Sequence, residues 1–308
     1  MHLRIGTRGS KLALAQSEWV KRKIERRHPD TRVSLVKIKT KGDKILDSPL
    51  SKIGGKGLFV KEIEDALLRK NVDLAVHSMK DVPAETPEGL DISVFPERED
   101  PCDAFVSLDY PSLTELPRGA SVGTGSLRRS AQLLSMRPDL DIVALRGNVD
   151  TRLRKLEEEG LHAVVLAAAG LRRLGLSHRI TMTLSPEIFL PAIGQGALGL
   201  ELRTDDEKVR ERLDFLNHED TATPVRAERA LLMTLEGGCQ VPIGGFGRLE
   251  GRDIILEGLV AELDGSRVIR HRITGEREHP EELGRALAER LLGSGADRIL
   301  ERIYGKEK

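Results

Sequence analysis

Aromatic residues make up only 3% of the 308-residue chain. That is too few for the stacking platforms that hold single-stranded nucleic acid. No charge of either sign is in excess, since Lys+Arg and Asp+Glu number 49 each. A general polyanion binder is thereby excluded, and the placement of individual arginines matters more than the total. No run nears the roughly 18 apolar residues of a membrane span. The opening residues, Met1-His2-Leu3-Arg4-Ile5-Gly6-Thr7-Arg8, contain no apolar leader and read as a strand. A cytoplasmic protein without membrane or nucleic-acid partners is expected, and a monomer. Cysteine occurs twice, at Cys102 and Cys239. In a reducing compartment these are thiols before they are a disulfide. No His/Cys cluster has metal-ligand spacing, so no metal is expected.

What is present fits two or three globular domains, with 39% hydrophobic and 32% charged residues. The first part alternates strand and helix signals. Residues 3–7, 32–39 and 73–77 read as strands, and 11–26 and 58–69 as helices, the rhythm of an α/β domain. A second block begins near Asp103. It has strands at 121–123, 141–145 and 163–167, and helices at 127–136 and 149–159. Residues 197–202 form a strand able to return to the first sheet. After Asn217 the order becomes a helix at 222–235, strands at 247–250, 254–263 and 267–274, then helices at 280–292 and 297–304. That order indicates an α+β domain. The glycine- and lysine-rich stretch 40–57 has no period and reads as a lid or an unstructured insertion. The expected domains are 1–96 with 197–214, 102–190, and 219–308.

A faint internal repeat runs through the two α/β blocks. Ile5-Gly6-Thr7-Arg8-Gly9-Ser10-Lys11-Leu12 is echoed by Val122-Gly123-Thr124-Gly125-Ser126-Leu127-Arg128-Arg129. Each is a strand end, Gly-Thr, a small turn, Ser, then a helix carrying basic residues. Two similar lobes facing across a cleft would produce it; so would the general taste of strand-to-helix turns for Gly, Thr and Ser.

A helix N-terminus attracts anions, and an adjacent Arg adds a planar fork matched to carboxylate or phosphate. Arg8 and Lys11 lie at the first such turn, Arg128 and Arg129 at the second, with Arg146, Arg152 and Arg173 following. Taken singly, each Arg can be a solvated surface charge; the pair behind Gly-Thr-Gly-Ser points to an anion. Asp81, in Val76-His77-Ser78-Met79-Lys80-Asp81-Val82-Pro83, ends an apolar strand, where ligands of open α/β sheets sit. It can face a cation or move a proton, or simply cap a turn before proline. Cys239 sits in the turn Glu236-Gly237-Gly238-Cys239-Gln240-Val241-Pro242. It lacks partners for a metal or for a Cys/His hydrolase. An inert residue and a covalent anchor for a prosthetic group both stay open.

These residues together resemble the porphobilinogen deaminase family over nearly the whole chain. The matching stretches include Gly6-Thr7-Arg8-Gly9-Ser10, Gly54-Gly55-Lys56-Gly57-Leu58-Phe59 and His77-Ser78-Met79-Lys80-Asp81-Val82-Pro83. They continue with Gly123 to Arg129, Leu145-Arg146-Gly147-Asn148, Pro191-Ala192-Ile193-Gly194-Gln195-Gly196, and Leu235 to Gly244. The resemblance implies an α/β fold with two periplasmic-binding-protein-like lobes around a cleft and a small α+β C-terminal domain. It implies a hydroxymethylbilane synthase, a transferase that deaminates four porphobilinogen molecules and joins them head to tail. The primer would be a dipyrromethane cofactor held by Cys239 through a thioether. Asp81 would be the catalytic carboxylate. Lys80, Thr124, Ser126, Arg128, Arg129 and Arg146 would hold the cofactor, and Arg8, Ser10, Gln16, Lys56, Arg152 and Arg173 the substrate or growing chain. The stretch 40–57 would be the lid. This chain has Gly125 where the bacterial pattern more often has Ser. The rival expectation is a non-enzymatic anion-binding protein on the same two-lobed scaffold, needing neither Cys239 nor Asp81.

Overall fold

The computed structural model describes residues 1–44, 57, 59–236 and 241–305, in two compact units. The first unit comprises Met1–Glu99 and Ala197–Ala222. Its sheet contains β1 (His2–Thr7), β2 (Arg32–Lys37), β3 (Leu74–Ser78), β4 (Leu90–Val94) and the returning β10 (Leu198–Arg203). The order is β2-β1-β3-β10-β4. β1 runs parallel to β2 and β3, and β10 is antiparallel to β3 and β4. β3 carries the near-continuous apolar run expected of a strand covered on both faces. One face packs into a core with Leu3, Ile5, Val20, Ile24, Leu74 and Leu200, the other under the helix Lys61–Leu68 around Ile63 and Leu67.

The second unit comprises Asp100–Gly196 and Thr223–Lys308. Its five-stranded sheet contains β5 (Asp103–Val106), β6 (Ser121–Thr124), β7 (Asp141–Ala144), β8 (Ala163–Ala167) and β9 (Met182–Leu184). The order is β7-β6-β8-β5-β9, with β6 parallel to β7 and β8, and β5 antiparallel to β8 and β9. This is the wiring of the first sheet with each strand replaced by its counterpart. The faint repeat at the two Gly-Thr turns is therefore a repeat of topology, because β1 and β6 hold the same place. Strands β4, β5 and β9, with three to five residues each, were the hardest to foresee.

The same unit holds an antiparallel sheet, β11 (Ile243–Glu250), β12 (Asp253–Ala261) and β13 (Val268–Glu276). The helices Glu219–Thr234, Pro280–Leu291 and Asp297–Gly305 pack against it around Leu231, Leu256, Leu287, Leu291 and Ile299. The first of these starts earlier than its apolar period. Glu219 and Asp220 suit the positive helix end, and Pro224 falls within the opening turns. Glu228, fully buried on that helix, accepts from the Gly194 amide at 2.6 Å and the Gly247 amide at 2.8 Å. It thus ties the Pro191–Gly196 stretch to β11.

Candidate active site

In the first unit, the turn after β1 opens the helix Lys11–Arg27. Ser10 is its N-cap, its hydroxyl accepting from the Ala13 amide at 3.2 Å. No acidic residue occupies the first turn, so the positive end of the helix is uncompensated there. Beside it, β3 runs out into a single 3-10 turn, Met79–Asp81. Gln16, buried in the helix, donates to Ser78 Oγ at 2.9 Å and ties helix to strand end. The result is a pocket open to solvent. Arg8, Ser10, Gln16, His77, Ser78 and Asp81 supply its polar lining, and Phe59, Val60, Ile63 and Val76 much of its apolar wall. The Arg8 guanidinium lies 4.1 Å from the Phe59 ring centre. Asp81 is half-buried, and its carboxylate has no hydrogen-bond or ion-pair partner among the described residues. Four residues singled out in the sequence, Arg8, Ser10, Gln16 and Asp81, therefore line one pocket. Lys80 is half-buried in the same turn.

In the second unit, Ser126 caps the helix Leu127–Met136, accepting from the Arg129 amide at 3.5 Å, again with no acid in the first turn. The buried Thr124 hydroxyl accepts from the Ser126 amide at 3.2 Å. Arg128 and Arg129 point inward. Asp103 Oδ2 accepts from Arg128 Nη1 at 2.8 Å and Asp103 Oδ1 from Arg129 Nε at 2.8 Å, with Arg129 Nη2 in an ion pair 2.7 Å from the same oxygen. Gln195 completes the cluster, donating to Asp103 Oδ1 at 3.0 Å and accepting from Arg129 Nη2 at 3.4 Å. Burial by itself would raise the Asp103 pKa; the two guanidinium charges overcome it and hold the carboxyl well below the usual range. Two buried cations nevertheless face one anion within the cluster, and Arg128 Nε is buried with no partner.

The loop after β7 presents Arg146. It is half-buried, burial lowers its pKa, and it has no hydrogen-bond or ion-pair partner among the described residues. Next to it, Gly147 has φ +108° and Asn148 caps the helix Val149–Glu158. Arg152 donates to the Gly147 carbonyl at 2.9 Å, and Arg173 to the Gly196 carbonyl at 2.7 Å. Gly125 is required here. A Cβ at that position would lie 2.4 Å from the Leu145 carbonyl oxygen, so the Ser of the bacterial pattern does not fit this backbone.

Cys239 and Lys56, and most of the stretch 40–57, lie outside the described residues. On one side of Cys239 in the chain, Glu236 has φ +51° and its carbonyl accepts from the Tyr304 hydroxyl at 2.8 Å. At the other, Val241 and Ile243 are buried in the core of the small sheet. Cys102 has no reactive character: burial first, then a hydrogen bond to Asp100, pushes its thiol up to about 12.

Sequence reasoning missed Asp103, Glu64 and Glu201 as partners. Asp103 and Glu201 leave a local sign, an acid at or inside an apolar stretch; Glu64, among Glu62 and Asp65 on its helix, leaves none. Asp103 begins Asp-Ala-Phe-Val, and Glu201 interrupts Leu198-Gly199-Leu200-Glu201-Leu202. A charge in such a run needs a partner, but nothing local says which.

Comparison with known proteins places the chain in a family. The profile described as porphobilinogen deaminase, dipyromethane cofactor binding domain, matches residues 3–211, and that of the porphobilinogen deaminase C-terminal domain matches 222–293. The porphobilinogen deaminase of Geobacter sulfurreducens is 58% identical over 305 residues, covering 99% of this chain and 96% of that protein. That of Trichlorobacter lovleyi is 57% identical, covering 99% and 97%. Among solved structures, the methionine binding protein MetQ is 16% identical with a TM-score of 0.45, covering 69% of this chain and 89% of that one. The aliphatic sulphonate binding protein SsuA of Escherichia coli is 14% identical with a TM-score of 0.41, covering 76% and 70%. With both domain profiles matched in order and identity above half over nearly its whole length, the chain belongs to the porphobilinogen deaminase family, the hydroxymethylbilane synthases with a dipyrromethane cofactor.

Proposed function

We propose that Asp81, in the pocket of the first unit, is the catalytic carboxylate with which this enzyme deaminates porphobilinogen and joins four such units head to tail, releasing hydroxymethylbilane. The observation that carries this is the convergence of Arg8, Ser10, Gln16 and Asp81 on one pocket, with the Asp81 carboxylate unengaged by the described residues. Loss of ammonia from an aminomethyl pyrrole leaves positive charge spread over the ring. A carboxylate about 4 Å away offsets that charge by roughly 4 kcal/mol at an effective dielectric of about 20. That is about a thousandfold in rate. Arg8 and the open helix end at Ser10 suit a substrate carboxylate, and Gln16 keeps Ser78 and the strand end in place.

The residues of the second unit fit a carboxylate-bearing cofactor. Arg128 Nε is buried without a partner, the Arg128–Asp103–Arg129 cluster carries surplus positive charge, and Arg146 is half-buried without a counter-ion among the described residues. Arg128, Arg129 and Arg146, with Thr124, Ser126 and Lys80, would hold the acidic arms of dipyrromethane, and Cys239 would carry it through a thioether. When bound, this group supplies a pyrrole with a free α-carbon, the nucleophile of the reaction. Lys56, Arg152 and Arg173 would meet the substrate or the growing chain.

Three domains, 1–96 with 197–214, 102–190 and 219–308, are supported by three separate sheets. The two-lobed anion-binding alternative is set aside by family membership. Among the described residues no helix is long and apolar enough to cross a membrane. We take the protein as a cytoplasmic monomer acting on small molecules; a stable dimer in light scattering would overturn the second part.

Intact mass tests the covalent cofactor. The active protein should exceed its polypeptide mass by one dipyrromethane, and Cys239→Ser should not. Turnover of porphobilinogen by a protein of unmodified mass would sink the thioether.

A further inference from the structure

Beneath the pocket lies a buried polar trio that the mechanism above leaves unused. His77 is on β3 and Glu201 on β10. Glu201 pairs with Ala75 and Gly199 with His77, so the imidazole and the carboxylate are diagonal neighbours on one face of the sheet. His77 Nε2 and Glu201 Oε2 are 2.9 Å apart, with both side chains almost fully buried. Glu64, also buried, comes from the helix Lys61–Leu68 that covers this face. Burial first, then the Glu201 charge, pushes the Glu64 carboxyl up to about 7, with His77 opposing. Lys61 and Asp65 add weaker fields from the same helix. Arg203, the nearest cation along β10, is committed to the Leu67 and Val72 carbonyls and to Asp206. Asp91 on β4 faces Arg210. From the pocket side the charged groups are Arg8 and Asp81.

A carboxylate can only accept, so Glu201 fixes the imidazole with its proton on Nε2 and its lone pair on Nδ1. His77 also lines the pocket that holds Asp81.

We propose that His77, oriented by Glu201 and backed by Glu64, is the proton acceptor of this pocket, taking at Nδ1 the proton that each condensation sets free and that Asp81 first receives. The inference rests on the porphobilinogen deaminase reading. Each condensation consumes an alkylammonium and a pyrrole C–H. The C–N pair leaves with nitrogen as ammonia, a ring π pair makes the C–C bond, and the C–H pair restores the ring, so one proton is left over. Kept on Asp81, that proton would abolish the negative charge needed for the next ring. Passed to His77 it makes an imidazolium beside the Glu201 carboxylate, which then gives the proton to the departing ammonia. Two buried acids around one imidazole have no structural need of each other, since an apolar trio would pack at lower cost.

The test uses holoenzyme and the variants His77→Gln, Glu201→Gln and Glu64→Gln. The first readout is independent of turnover: 15N spectra of labelled histidine, with His77→Gln for assignment. The proton should sit on Nε2 in the parent, and that preference should be lost in Glu201→Gln; an Nδ1–H tautomer in the parent overturns the proposal. The second is kcat/KM against pH. Below about pH 7 Glu64 is protonated and the trio is full, so the parent rate should rise between about pH 6 and 8. Glu64→Gln should flatten that rise. Glu201→Gln should lower kcat about 10- to 100-fold with KM little changed. Should Glu201→Gln fail to fold, Glu64→Gln still decides. Profiles of the variants that superimpose on an active parent refute the relay and leave the enzyme assignment intact. A folded parent that makes no hydroxymethylbilane refutes the assignment and the relay with it.

Discussion

Replacing Asp103 by Asn isolates the buried charge cluster. The side chain is fully buried, accepts from Arg128 Nη1, Arg129 Nε and Gln195 Nε2 at 2.8–3.0 Å, and has Arg129 Nη2 in an ion pair at 2.7 Å. The amide keeps the shape, removes the Asp103 carboxylate from the cluster and turns one acceptor into a donor facing guanidinium N–H groups. Breaking a buried pair from one side costs about 3–5 kcal/mol, because the charge left behind has no compensation. Here two cations are left, so the upper end applies. In a unit of this size about 2–4 °C of melting temperature accompanies each kcal/mol. The unit carrying β5 should therefore melt roughly 10–20 °C lower, read by calorimetry or by urea unfolding at pH 7. The pH dependence supplies a second arm. The folded carboxyl titrates well below its unfolded value near 4. Its contribution is in force above pH of about 4 and lost as pH falls towards the folded pKa. Asn cannot titrate, so the gap between parent and variant should narrow progressively as pH falls below about 4. A variant melting within about 2 °C of the parent at pH 7, or a gap that does not narrow in acid, refutes the reasoning.

Three further outcomes are expected. Asp81→Asn should retain the covalent dipyrromethane mass and lose on the order of 100-fold or more in turnover; near-normal turnover removes Asp81 from the chemistry. Gly125→Ser should destabilise by about 1–3 kcal/mol, because its Cβ meets a backbone oxygen, and should weaken cofactor loading by moving Leu145 and Arg146; unchanged stability and loading count against the geometry of this turn. Cys102 should resist iodoacetamide at pH 8 in the folded protein, its thiol being pushed up to about 12; rapid alkylation mapped to Cys102 contradicts that.

Local chemistry made much of this protein legible from the chain alone. Period and apolar runs located β1, β3, β8 and β12, and the Gly-Thr turns announced the helix starts that Ser10 and Ser126 cap. Those signals live between residues a few positions apart, which is why they survive without a structure. The strands β4, β5 and β9 went unread because each borders on proline (Pro87 and Pro96, Pro101, Pro186), which signals loop. The long motifs carried the family, and with it the expected roles of Asp81 and the arginines.

Only the tertiary structure decided partners. The arginines at the second turn were expected to meet an external anion, and they also meet Asp103, some 25 residues away in sequence. The pocket draws on three stretches, around Arg8, Phe59 and Asp81, which no periodicity links. Glu201 reaches His77 across 124 positions because β10 returns to the first sheet beside β3. A sequence shows that a buried charge must be answered. Which residue answers it depends on strand order and register, and those are settled only when the chain closes on itself.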